Sequence, residues 1–196
     1  MYLDEKIVAV EHAMLAAGIP HAFGGANAFA YYGTPRATVD IDVNVFVDAE
    51  RVDDVLAALT GLGIELDEAA VRPLVARDGQ ARIFWDRTPI DLFFSYDPLH
   101  LSSMERRRRV DFGEDRIHIL SAEDLIVYKV VFDREKDWRD IAEMIHAANQ
   151  SLDYGYVRDW LGRIVEPEGA QLTRLERLID SGGRELDGAG QEGKVA

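Results

Sequence analysis

The chain contains no cysteine, which excludes a disulfide framework and a thiolate metal site and agrees with a cytoplasmic setting. No stretch approaches the roughly 20 apolar residues needed to span a bilayer. The opening Met1-Tyr2-Leu3-Asp4-Glu5 does not read as a signal peptide. The five histidines (12, 21, 100, 118 and 146) form no i, i+4 pair and so show no zinc spacing. There is no Gly-x-x-x-x-Gly-Lys-Ser/Thr loop, no Gly-x-Gly-x-x-Gly and no Gly-x-Ser-x-Gly elbow. P-loop, Rossmann and serine-triad readings are therefore set aside. Positive charge is scarce as well: 22 Lys and Arg stand against 36 Asp and Glu, a net charge of −14. That balance argues against a protein coated in nucleic acid.

What the chain does have is an ordinary apolar content, 47% of 196 residues. This is enough for one domain, or one core with a small helical appendage. Its charge is unevenly spread. Ala37 to Val71 holds nine acids and one Arg, whereas Arg72 to Arg109 holds eight Arg against five acids, including Arg106-Arg107-Arg108-Arg109. Such a basic strip on an acidic body suits a short polyanion such as an RNA end, or it is a solvated helix face.

Periodicity predicts an amphipathic helix over 3–17, stopped by Gly18-Ile19-Pro20, then a strand at His21-Ala22-Phe23. A helix from Ala26 to Tyr32 and a strand from Val39 to Val47 follow. Asp48 is read as the cap of a helix to about Leu62, and a short helix is expected before Pro73. Residues 81–85 and 89–94 read as a hairpin turning at Asp86-Arg87-Thr88. Pro98 to Arg109 reads as helix and Arg116 to Leu120 as strand. Ser121-Ala122-Glu123-Asp124 opens another helix with a capping-box-like start. Further helices begin near Lys136 and cover about 153–165 and 169–181. The domain reading is a core over 1–120, a helical region over 121–181 and a disordered tail over 182–196.

Chemistry concentrates between Gly24 and Asp42. Gly24-Gly25 is followed by fourteen residues and then Asp40-Ile41-Asp42 in a β-branched run. A Gly-Gly turn lets backbone N–H groups approach a phosphate, and a helix starting there adds its dipole. Asp40 and Asp42, two apart in a strand, share a face and can hold a pair of Mg²⁺ ions whose remaining ligands come from a triphosphate. Asp91, among apolar neighbours, completes a carboxylate triad if its strand lies beside 39–47, or else faces solvent. Arg36 and Thr38, in the same i, i+2 register, suit a phosphate and an acid ligand respectively, or are strand-edge polarity. Lys129 lies in an apolar helix and either points inward toward a triphosphate or snorkels out. With a turn near Arg134-Glu135, it would face Asp137 and Asp140 across two helices.

Taken together, Gly24-Gly25-Ala26-Asn27-Ala28, Arg36-Ala37-Thr38-Val39-Asp40-Ile41-Asp42, the Leu120 to Lys129 segment and Arg134-Glu135-Lys136-Asp137-Trp138-Arg139-Asp140-Ile141 carry a resemblance. The chain resembles the DNA polymerase β-like nucleotidyltransferase superfamily and, within it, the AbiEii-type toxins that include the mycobacterial MenT toxins. The resemblance implies an α/β (α+β) fold: a polymerase β-type core with a mixed sheet, then a C-terminal helical bundle completing the site. It implies transfer of a nucleoside monophosphate from an NTP, with Gly25 at the phosphates, Asp40 and Asp42 on Mg²⁺, and Lys129 with Asp140 completing the site. Toxins of this branch extend the 3′ end of tRNA, often with pyrimidines, block aminoacylation and are restrained by a cognate antitoxin. Gly25 stands where some members have Ser. The alternatives are an antibiotic nucleotidyltransferase and a catalytically silent nucleotide-binding module.

Overall fold

The computed structural model describes residues 1–148, 151–166 and 169–184. The expected disordered tail lies, from residue 185 on, outside the described residues. Contacts divide the chain into two compact units, Met1–Leu125 and Ile126 onward.

The first unit opens with α1 (Leu3–Ala16), β1 (His21–Phe23), α2 (Gly25–Phe29) and β2 (Ile41–Asp48). A 3-10 turn (Ala49–Arg51) leads into α3 (Val52–Thr60), then α4 (Glu68–Asp78), β3 (Gln80–Trp85) and β4 (Thr88–Ser95). α5 (Pro98–Arg106), β5 (Arg108–Phe112) and β6 (Asp115–Ile119) complete it. The strands form one mixed sheet in the order β3-β4-β2-β1-β6-β5. β2 runs parallel to β4 and β1 parallel to β6, while the other pairs are antiparallel. β2 lies inside the sheet, and Ile41, Val43, Asn44, Val45, Phe46 and Val47 are all buried, as expected of a strand covered on both faces. Edge strand β3 alternates instead, burying only Ala81, Ile83 and Trp85.

Several expectations hold and several need correction. Helix α1 ends as Gly18, at φ 64°, and Ile19 bond back to Leu15 and Met14. α3 buries Val52, Val55, Leu56 and Leu59 as its spacing implies, but Asp48 makes no side-chain capping bond and the 3-10 turn intervenes. α4, capped by Asp67, continues through Pro73 to Asp78. A proline removes the bond to the carbonyl four residues back, here that of exposed Ala69, which water can satisfy. α5 stops at Arg106 rather than Arg109. Arg107 turns extended, and Arg108 onward pairs with β6 through the two-residue Gly113-Glu114 turn, with Gly113 at φ 62°.

Lys6 fixes α1 to the β3–β4 hairpin. Its buried ammonium donates to Trp85 O at 2.7 Å, Asp86 Oδ2 at 3.1 Å and Thr88 Oγ1 at 3.1 Å. Asp86 takes the positive φ, 54°, that a tight hairpin turn requires.

α6 (Ala122–Phe132) carries the chain into the second unit, where α7 (Glu135–Ala148), α8 (Tyr154–Ile164) and α9 (Ala170–Asp180) follow. Ser121 caps α6 by accepting from Asp124 N at 3.1 Å, as its sequence start suggests. Asp133, at φ 54°, breaks the chain between α6 and α7 and accepts from Trp138 Nε1 at 2.7 Å. Trp138 is itself fully buried. Among the described residues no helix is long and apolar enough to cross a membrane.

Replacing Lys6 with Met should cost about 1–3 kcal/mol, the usual range for a lost bond to a charged group. Urea unfolding reads this directly, and an unchanged midpoint would contradict the proposed anchoring.

Candidate active site

The site is built by strand register. β2 and β4 pair in parallel with Asp42 opposite Asp91, which puts the two side chains on one face about 4.8 Å apart at the backbone. Asp40 sits one residue before β2 begins, so the expected strand over 39–47 starts later and 36–40 are not in strand register. Asp40 is held by other means. Its N–H donates to Thr38 Oγ1 at 3.2 Å, and Asn27 Nδ2 donates to its carbonyl at 3.3 Å. Thr38 thus supports an acidic residue, while Arg36 is exposed, with its guanidinium carbon 6.0 Å from the centre of the Phe29 ring.

The glycine turn is fitted onto Asp42. Gly24 N donates to Asp42 O at 2.9 Å, so this N–H is taken and unavailable to a phosphate. A Cβ on Gly24 would lie 2.8 Å from Asn44 Nδ2. Gly25 has φ 50°, and a Cβ there would lie 1.8 Å from Asp42 Oδ2. The carboxylate occupies the space a side chain would need. α2 starts at Gly25, not Ala26, and ends at Phe29. At five residues it contributes less dipole than the expected helix to Tyr32. The N–H groups of Gly25 and Ala26, in its first turn, lack intrahelical partners by position.

Arg82 was hidden within the arginine-rich strip. It is the register partner of Asp91 across β3 and β4, and it grips that carboxylate through Nε–Oδ1 and Nη2–Oδ2 bonds of 2.6 Å each. Its Nη2 also lies 4.0 Å from Asp40 Oδ2. The hydrogen bonds and charge of Asp91, then the charges of Asp40 and Asp42, raise the guanidinium pKa further above its already high value. The expected turn over Asp86-Arg87-Thr88 would have put residue 83 opposite residue 91; Thr88 instead joins β4 and pairs with Trp85, which brings Arg82 there. Asp91 therefore does not simply face solvent; a cationic side chain already holds both of its oxygens.

The donor set suits Mg²⁺. Three carboxylates are hard oxygen ligands, and the glycine cradle leaves Asp42 Oδ2 room that any other residue would fill.

Lys129 does not snorkel. It is buried, and its ammonium contacts Asp140 Oδ2 at 2.6 Å and Asp137 Oδ1 at 3.4 Å across the turn between α6 and α7. Arg134 adds a 2.5 Å bond to Asp137 Oδ2. Within the helical unit Lys129 is the counter-charge of two buried carboxylates. Its removal bears on stability before it bears on any ligand.

Sequence spacing also missed a histidine cluster. His21 and His118, far apart in the chain, converge on buried Glu11.

Gly25→Ala should cost about 1–3 kcal/mol, the strain of a non-glycine residue in left-handed backbone, and should displace Asp42; urea unfolding and a crystal structure of the variant check both. Lys129→Met should cost about 3–5 kcal/mol by leaving buried carboxylates without their cation. A chemical-denaturation midpoint equal to that of the parent would refute this.

No family model matches the chain. No curated protein matches it either. Solved structures do. The chain is similar to ANT(2'')-Ia in complex with adenylyl-2''-tobramycin, with a TM-score of 0.51 and 14% identity over 91% of this chain and 95% of that one. A solution structure of the same antibiotic-resistance factor gives a TM-score of 0.49 at 16% identity, covering 91% of this chain and 92% of that one. An antigenic nucleotidyltransferase-like protein from Paracoccidioides brasiliensis gives 0.46 at 14% identity, over 91% and 92%. At these identities the likeness speaks for architecture alone: the mixed α/β fold is shared with ANT(2'')-Ia.

Proposed function

We propose that the chain transfers a nucleoside monophosphate from an NTP to an acceptor hydroxyl, releasing pyrophosphate. The observation that carries this reading is the carboxylate of Asp42 set against Gly25 on one side and beside Asp91 on the other. Asp40 and Asp42 would hold Mg²⁺, which supplies hydroxyl activation and neutralises charge on the triphosphate. The N–H groups of Gly25 and Ala26 bind phosphate oxygens. Asp91 accepts the proton of the attacking hydroxyl on a carboxylate oxygen. Arg82 is a positioning residue, fixing the orientation of Asp91 through two hydrogen bonds.

The acceptor we assign is the 3′ end of tRNA, with a pyrimidine NTP as donor. The chain would then act as a cytoplasmic toxin that blocks aminoacylation and is restrained by a cognate antitoxin. Two things support this: the resemblance of the motifs, and the exposed Arg108, Arg109 and Arg116 on the β5–β6 hairpin. A second reading, a small-molecule acceptor, is favoured by the ANT(2'')-Ia complex, which carries adenylyl-2''-tobramycin.

Incubation with total tRNA or with an aminoglycoside, each with every α-labelled NTP in turn, separates the two. Label is expected at tRNA ends, and label on the aminoglycoside alone would favour the second reading. Asp42→Asn should lower transfer by about 10²–10⁴-fold or more while the circular dichroism spectrum is unchanged. Retained transfer by that variant, or no label on either acceptor, would overturn the assignment.

A further inference from the structure

We propose that Glu11, His21 and His118 form a second metal site in the first unit, one suited to Zn²⁺ and separate from the Asp40–Asp42–Asp91 cluster. Glu11 comes from α1, His21 from β1 and His118 from β6, so three regular elements hold the ligands. Glu11 and His21 are 0% and 1% exposed, and the His118 side chain is 18% exposed, which leaves an entry path and space for water. Glu11 Oε2 lies 2.9 Å from His21 Nε2, and Oε1 lies 2.7 Å from His118 Nδ1. One ligand atom from each residue falls within 4.8 Å of the others.

The orientation of His21 is what points to a cation. Its Nδ1 lies 3.0 Å from Ile19 O, a carbonyl that only accepts, so Nδ1 carries a hydrogen. Its Nε2 faces Glu11. Glu11 Oε2 also accepts from the His118 backbone N–H at 3.0 Å, so the carboxylate is fixed between the two rings. With Nδ1 committed to the carbonyl, His21 can present its Nε2 lone pair to a metal ion at this cluster. Metal-bound histidines are held in this way, with Nδ1–H on a backbone carbonyl and Nε2 on the metal.

Two imidazoles and one carboxylate make a set that leaves a fourth position for water, and they suit zinc better than the hard Mg²⁺ or Ca²⁺. The ion would take His21 Nε2, His118 Nδ1 and a Glu11 oxygen, and α1 would become tied to β1 and β6 through it.

The test uses chelator-treated full-length protein and zinc chloride. Titration calorimetry should give one zinc per chain, and the loaded protein should show a higher thermal midpoint. His118→Gln should weaken zinc binding at least about tenfold, whereas Asp40→Asn/Asp42→Asn should bind zinc as the parent does. No uptake at micromolar zinc, equal affinity in His118→Gln, or loss of zinc with the two aspartates would each overturn the site. Should His118→Gln fail to fold, X-ray absorption of the zinc-loaded parent decides: two imidazole nitrogens support the site, and a shell without imidazole refutes it.

Discussion

Everything at the candidate active site depends on the parallel pairing of β2 with β4. Hydrogen bonds between two backbones, not side-chain attraction, bring Asp42 and Asp91 side by side. Two like charges at that spacing repel, and the fold tolerates them because Arg82 is delivered to the same row by β3. A row of acid, acid and base across three strands is a local charge balance that a divalent ion and a triphosphate can enter. Parallel pairing requires a long crossover, and here α3, α4 and β3 fill it.

The glycine turn and Asp42 constrain one another. Gly24 bonds to the backbone of Asp42, and Gly25 gives up its side-chain space to the carboxylate. A serine at position 25 would meet Asp42 in this conformation. The site therefore depends on this glycine for steric reasons, beyond the backbone freedom that glycine brings to a turn.

Local signals in the sequence made much of this legible. The β-branched run, the Gly-Gly turn, the hairpin and the Ser121 cap each act within a few residues and each appears, though the strand starts at Ile41 rather than Val39 and the hairpin turns on Asp86-Arg87 without Thr88. Non-local effects did not show. β5 reads as helix because Arg106 to Arg109 favours helix until β6 supplies a partner. The helix through Pro73 depends on an exposed carbonyl, and exposure is set by the fold. Arg82 was visible only as charge, because its pairing with Asp91 depends on Thr88 joining the strand rather than the turn. Glu11 and the histidines gave no signal, since their spacing follows sheet order and not chain order.

Glu11 also stands in for main chain. It accepts from His118 N at 3.0 Å, while the next ladder bond, Leu120 N to Phe23 O at 3.0 Å, is ordinary. A helix side chain therefore completes a sheet. During synthesis α1 is made long before residue 118, and Glu11 must stay hydrated until that strand emerges. Ribosome-bound chains ending short of β6 would leave Glu11 with His21 but without either His118 partner, so final docking of α1 waits for most of the first unit to be translated.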